Sequence, residues 1–153
     1  MTTLPLASAD DTAALGAAIA SALGDRPGAV VFLRGPLGAG KTTLARGLLR
    51  ALGVRGAIRS PTYTLLEPYE LPGRLLVHLD LYRLADPREL EPLGLRDYPP
   101  ERCWWLIEWP ERAGERLPPA ELAVDLSHDG QGRRAILSGP AAAGVAKRHQ
   151  TKV

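Results

Sequence analysis

Eight consecutive residues carry the strongest chemical signal in this chain. Gly35-Pro36-Leu37-Gly38-Ala39-Gly40-Lys41-Thr42 has the spacing Gly, four residues, Gly-Lys-Thr. Glycines at those places let backbone N–H groups turn inward around phosphate oxygens, in a concavity that a Cβ would obstruct. The lysine is a mobile point charge for β- and γ-phosphates, and the hydroxyl after it can serve Mg²⁺. Thr43 is placed to donate to an α-phosphate. With 16 glycines, three lysines and 13 Ser and Thr in 153 residues, chance yields about 0.003 such matches. The reading is a nucleoside triphosphate, ATP by default, with ADP as its product and Mg²⁺ bound alongside.

Such a loop needs carboxylates on its metal side. Leu75-Leu76-Val77-His78-Leu79-Asp80 is an apolar run ending in an acid, the Walker B arrangement, in which Asp80 anchors Mg²⁺ or its water. His78 falls on the same strand face as Asp80 by two-residue alternation and reads more readily as a hydrogen-bonded core histidine than as a participant. Trp104-Trp105-Leu106-Ile107 is a second apolar run, and Glu108 emerges at its end. Leu33, Asp80 and Glu108 each close an apolar strand. If those strands are parallel, one sheet edge gathers the loop and both acids. Glu108 could then orient or deprotonate an attacking water, hold a metal-bound water, or simply make a surface ion pair. In Ser60-Pro61-Thr62-Tyr63, the Thr62 hydroxyl could reach Mg²⁺ or a γ-phosphate as a switch, although Ser-Pro-Thr also suits a plain turn.

The elements that would position these groups follow from periodicity. Ser8 caps a helix in which Leu15, Ile19 and Leu23 recur, ended by Gly24. Ala29 to Leu33 and Cys103 to Trp109 are strands apolar on both faces, and Thr43 to Leu52 is a helix with Leu44, Leu48, Leu49 and Leu52 inward. Thr62 to Glu70 and Leu75 to Asp80 form a hairpin around Pro72-Gly73. Leu122 to Ser127 and Arg133 to Ser138 form another around Asp129-Gly130-Gln131-Gly132. Asp86-Pro87 opens a short helical segment. The class is α/β: a P-loop NTPase-like three-layer sandwich with a mixed, mostly parallel central sheet and antiparallel hairpins.

Absences narrow the function. The chain has no Asn, no lysine has an Asp two residues on, and Asp80 is followed by Leu81-Tyr82-Arg83, so the GTPase signatures fail. A small-molecule kinase drawing on Arg83, Arg88, Arg96, Arg102, Arg112 and Arg116 stays open, as does a nucleotide-gated binding module with negligible turnover. The charge is 19 basic against 17 acidic residues, but Lys147, Arg148 and Lys152 follow Gly139, leaving 16 against 17 before it. The body therefore offers no broad basic platform for nucleic acid. Residues 1–138 read as one ATPase domain and 139–153 as a flexible basic tail. A single cysteine, Cys103, leaves no disulfide, and the apolar runs are too short for a membrane span, so a cytoplasmic protein is expected.

The ordered set of motifs resembles the bacterial TsaE (YjeE) family. It runs from about Ser8 to Gly139 through Thr12…Leu15-Gly16, Gly35 to Thr42, Ser60-Pro61-Thr62-Tyr63-Thr64-Leu65, His78-Leu79-Asp80-Leu81-Tyr82-Arg83, Leu93-Gly94-Leu95 and Ile107-Glu108-Trp109-Pro110-Glu111. The resemblance implies slow, partner-stimulated ATP hydrolysis in support of threonylcarbamoyladenosine modification of tRNA. The implied partners are TsaD-like and TsaB-like proteins, with tRNA contacted indirectly. It also implies Lys41 and Thr42 for phosphate and Mg²⁺, Asp80 and Glu108 for metal or water, and Thr62 as switch. Thr12 and Arg133 would lie near the base or phosphates, and Trp109 would be a functional aromatic beside the site.

Overall fold

The computed structural model describes residues 1–150. Its elements in chain order are β1 (Thr2–Leu6), α1 (Ala9–Leu23), β2 (Ala29–Arg34), α2 (Lys41–Ala51), β3 (Leu66–Leu71), β4 (Arg74–Asp80), β5 (Cys103–Glu108), β6 (Leu122–Asp129), β7 (Gly132–Ser138) and α3 (Ala142–Gln150). Three 3₁₀ segments, Pro87–Leu93, Leu95–Asp97 and Pro110–Arg116, fill the long connections on either side of β5.

The seven strands form one sheet in the order β1-β7-β6-β2-β5-β4-β3. β2 lies between β5 and β6, parallel to both, and β5 is parallel to β4. These four inner strands carry the apolar runs, as parallel strands covered on both faces require. The outer strands β3 and β7 are antiparallel to their neighbours, and β1 is antiparallel to β7, which returns β1 to the direction of the inner four. Five of the seven strands thus point one way. Register puts Leu33 opposite Glu108 and Glu108 opposite Asp80. The three strand ends anticipated from sequence share one edge.

One sheet face is covered by the α-helices. Leu44, Leu48 and Leu49 of α2 and Leu15, Ile19 and Leu23 of α1 are buried there against Val31, Leu33, Trp104 and Leu106. Each buried leucine contributes about 1.5–3 kcal/mol, enough in sum to fix the loop that precedes α2. The opposite face packs Val77, Leu79, Trp105 and Ile107 against Leu84, Leu90 and Ala113 from the 3₁₀ segments and their flanks. The sandwich has three layers, but the second outer layer is built of 3₁₀ turns.

Beyond shifts of one or two residues at element ends, the structure departs from the sequence reading in three places. β1 was not anticipated: its five residues alternate inward Leu4 and Leu6 with exposed Thr3 and Pro5, and an edge strand tolerates a proline. β3 begins at Leu66 rather than Thr62, because residues 61–64 turn and Leu65 takes φ +66°. The expected flexible tail is a helix over Ala142–Gln150, with Ala142, Val145 and Ala146 buried in the same core as α1. Small residues there give almost no periodic signal, yet they let α3 approach closely. Residues 151–153 of that expected tail lie outside the described residues. Among the described residues no helix is long and apolar enough to cross a membrane, and Cys103 is buried and free.

Candidate nucleotide site

The loop between β2 and α2 begins where β2 leaves the sheet. At Gly35, φ is +145° and a Cβ would lie 2.5 Å from the Leu126 carbonyl oxygen, so only glycine lets the chain pass β6. At the other end Gly40 occupies the N-cap of α2 with φ +109° and supplies no side chain to its first turn. The first N–H groups of an eleven-residue helix therefore have no side-chain cap and form an anion-binding end. Ala39 is buried beneath the loop, where it packs in the core rather than facing the cleft.

Lys41 is 5% exposed. Its ammonium donates to the carbonyl oxygens of Gly35 and, at 2.9 Å, Pro36, and sits 4.6 Å from the Trp109 ring centroid. Burial pushes its pKa below the usual lysine value, opposed by Glu108, Asp80 and Glu111. Trp109 takes a left-handed conformation (φ +57°) immediately after β5 and donates its backbone N–H to Leu33 O at 3.2 Å. Its ring meets that of Tyr82 at 5.0 Å, and Arg112 lies 5.5 and 5.6 Å from the two rings. This aromatic-cation stack forms one wall of the site.

Asp80 and Glu108 end their strands on the sheet face that α2 covers. Strand alternation sends Leu76 and Leu106 into the helical core and so places His78, Asp80 and Glu108 on that same face. Asp80 is 8% and Glu108 3% exposed. Asp80 accepts from the Tyr82 N–H at 3.1 Å and from the Thr62 hydroxyl at 3.4 Å. Burial pushes the Asp80 carboxyl above its ordinary range; the Tyr82 N–H opposes this, Glu108 adds to it, and His78 and Thr62 oppose it. His78 Nε2 and Glu108 Oε2 lie 2.7 Å apart. Thr62 reaches Asp80 because its segment folds back: Leu65 donates to Pro61 O at 2.8 Å and receives the Asp80 N–H at 3.1 Å.

These groups line one cleft of about 450 Å³, bounded by Leu37, Gly38, Gly40, Lys41, Thr42, Thr43, Thr62, Asp80, Tyr82, Arg83, Glu108 and Trp109. A second hollow of about 280 Å³ shares Gly38, Gly40 and Thr43 with it and is closed by Thr12, Gln131 and Arg133. There Arg133 donates to Gly38 O at 3.1 Å, and Thr12 is buried with its hydroxyl 3.3 Å from Ser8 O. The structure thus brings Lys41, Thr42, Thr62, Asp80 and Glu108 together and sets Thr12 and Arg133 across the loop. Gly35 and Pro36 serve from behind, through carbonyls that hold Lys41.

Electrostatically, two buried carboxylates face one buried ammonium, which leaves acceptor oxygens in excess on the cleft floor. Among the described residues no cluster of three or more His, Cys, Asp or Glu is placed to hold an ion. Thr42, Asp80 and Glu108 supply at most three oxygen-bearing side chains, the donor set of a Mg²⁺ that completes its shell with water and phosphate. Tyr82 and Arg83 also line the cleft. In the sequence they stand out only as part of the His78–Arg83 motif and, for Arg83, as one of the arginines open to a kinase, without an assigned role at this site.

The family model "Threonylcarbamoyl adenosine biosynthesis protein TsaE" matches residues 6–136. The tRNA threonylcarbamoyladenosine biosynthesis protein TsaE of Haemophilus influenzae is 50% identical over 99 residues, which cover 65% of this chain and 63% of that protein. The match therefore spans just under two thirds of that relative's length. The protein of the same name from Treponema pallidum is 40% identical over 132 residues, covering 84% of this chain and 93% of that one. The crystal structure of Bacillus subtilis YdiB superposes with a TM-score of 0.76 at 26% identity, covering 97% of this chain and 93% of that one.

Proposed function

This chain belongs to the TsaE family, and we propose that it is a Mg²⁺-dependent ATPase supporting threonylcarbamoyladenosine modification of tRNA through TsaD-like and TsaB-like partners. The observation that carries the reading is the common edge on which Leu33, Asp80 and Glu108 end, directly beside the Gly35–Thr42 loop. The relatives' names support the tRNA-modification pathway.

In this reading the α2 N-terminus and loop N–H groups receive the phosphates, and Lys41 leaves the Gly35 and Pro36 carbonyls to meet β- and γ-oxygens. Thr42 and Asp80 hold the cation, with Thr62 reporting on it through its contact with Asp80. Mg²⁺ bound there would neutralise charge developing on the phosphate oxygens. Glu108 orients the attacking water or takes its proton. The hollow beside Thr12 and Arg133 takes the nucleoside. Trp109 and Tyr82 exclude water from the lysine side, where a drier site strengthens each charge interaction.

Single-turnover hydrolysis of ATP by the full chain, alone and with TsaB-like and TsaD-like partners, tests the proposal. Lys41→Ala should lose nucleotide affinity and cleavage together. Glu108→Ala should bind ATP within a few-fold of wild type and cleave it about 10²–10⁴-fold more slowly. Cleavage by Glu108→Ala at the wild-type rate would remove that role, and phosphate transfer to a metabolite instead of water would replace the ATPase by a kinase.

A further inference from the structure

His78 is 2% exposed and stands two residues before Asp80 on β4, opposite Leu106 of β5 and Glu67 of β3 in register. Its Nε2 lies 2.7 Å from Glu108 Oε2, while its Nδ1 is buried with no hydrogen-bond partner. That asymmetry identifies the tautomer. A buried N–H with no acceptor costs more than a bare lone pair, so the proton sits on Nε2 and is donated to the carboxylate. Glu108 Oε2 is occupied by this bond. Oε1 has no protein hydrogen bond among the described residues and belongs to a side chain that lines the cleft.

We propose that His78 is a positioning residue, holding one oxygen of Glu108 so that the other is presented to the water that attacks the γ-phosphate. The inference rests on the ATPase reading and deepens it. A strand-end glutamate has three rotatable bonds, and a carboxylate free to swing toward Lys41, whose pKa it already affects, would leave the water unaligned. The imidazole is fixed by its own burial on the sheet face that the helices cover and removes that freedom. Sequence alternation puts His78 beside Asp80, but only the β4–β5 register brings it to Glu108.

Two readouts test this. In the nucleotide-free full chain, ¹⁵N–¹H spectra of the histidine rings should show His78 as the Nε2–H tautomer, with resonances that move in Glu108→Gln. A Nδ1–H tautomer, or ring signals indifferent to Glu108→Gln, overturns the proposal. In single-turnover ATP cleavage, His78→Leu should lower the rate roughly 10–100-fold with nucleotide affinity little changed. His78→Gln, whose amide N–H reaches the same place, should restore most of it. Adding His78→Leu to Glu108→Ala should cost nothing further, since the two act as a unit. Equal impairment of the Gln and Leu variants, or additive losses, means that His78 only packs. If wild type itself does not cleave ATP, the ATPase reading fails; if it cleaves and His78→Leu matches it, only the positioning role fails.

Discussion

Where α1 crosses α2, glycines stand in for side chains, and the crossing makes a prediction whose sign separates two effects. A Cβ added at Gly47 would lie 2.2 Å from the Ala13 carbonyl oxygen, and one at Gly16 2.3 Å from the Leu44 carbonyl oxygen. Since real Cβ atoms essentially never come closer than 3.0 Å, Gly47→Ala must part the helices by roughly 0.8 Å. Overpacking of that kind costs about 1–3 kcal/mol, whereas alanine's better helix propensity returns up to about 1 kcal/mol. Because the atoms in the way are Ala13 backbone, which cannot move aside cheaply, the upper part of that cost applies; the net is a loss of about 1–2 kcal/mol, or a melting temperature lower by roughly 2–8 °C for a chain of this size. Gly144→Ala in α3 is the control: its nearest neighbour would be Arg148 at 3.9 Å, so propensity alone acts and the melting temperature rises. Thermal unfolding followed by far-UV circular dichroism reads both. Because α2 carries the Gly35–Thr42 loop and α1 carries Thr12, Gly47→Ala should also weaken ATP binding in calorimetric titration. If Gly47→Ala stabilises the protein as Gly144→Ala does, the close crossing is wrong.

Other expectations follow from the site and the C-terminal helix. Asp80 holds its proton to higher pH folded than unfolded, so its favourable contribution is complete below the ordinary carboxylate range and is lost as pH rises through the folded value. Nucleotide-free Asp80→Asn should therefore melt higher than wild type at neutral pH, with the difference closing near about pH 4; a lower melting point at neutral pH contradicts this. Trp109 sits 4.6 Å from the Lys41 ammonium, while Trp104 and Trp105 are buried in the two cores. ATP should change the tryptophan emission of wild type and leave that of Trp109→Phe unchanged. Val145 is fully buried where α3 meets the helical core, so Val145→Asp should lower the melting temperature far more than Lys147→Asp.

How far the sequence revealed this protein depended on whether local chemistry or distant register decided each feature. β2, β4 and β5 were legible because a strand covered on both faces reads as an unbroken apolar run, as in Ala29–Leu33 and Trp104–Ile107. The helix over Ala9–Leu23 was legible because Ser8 and Gly24 do occupy its caps, with the Asp11 N–H donated to the Ser8 hydroxyl at 3.2 Å. The loop announced itself by residue type alone. β1 and α3 were hidden for opposite reasons: Pro5 weakens a strand pattern that an edge position tolerates, and Ala142, Val145 and Ala146 are too small to make a stripe. The convergence of Asp80 and Glu108 could be posed only as a condition, because parallel pairing is a property of the sheet and not of either strand. The His78–Glu108 bond was invisible for the same reason, as was the fold-back of residues 61–65 that brings Thr62 to Asp80.

A crystal structure of the full chain with a non-hydrolysable ATP analogue and Mg²⁺ would locate the triphosphate and its cation. Phosphates are expected within the Gly35–Thr42 loop, with Lys41 turned from the Gly35 and Pro36 carbonyls onto them, the cation between Thr42 and Asp80, and Glu108 facing the γ-phosphate. A nucleotide bound elsewhere, or a cation on the far side of the sheet edge from Asp80 and Glu108, would contradict that expectation.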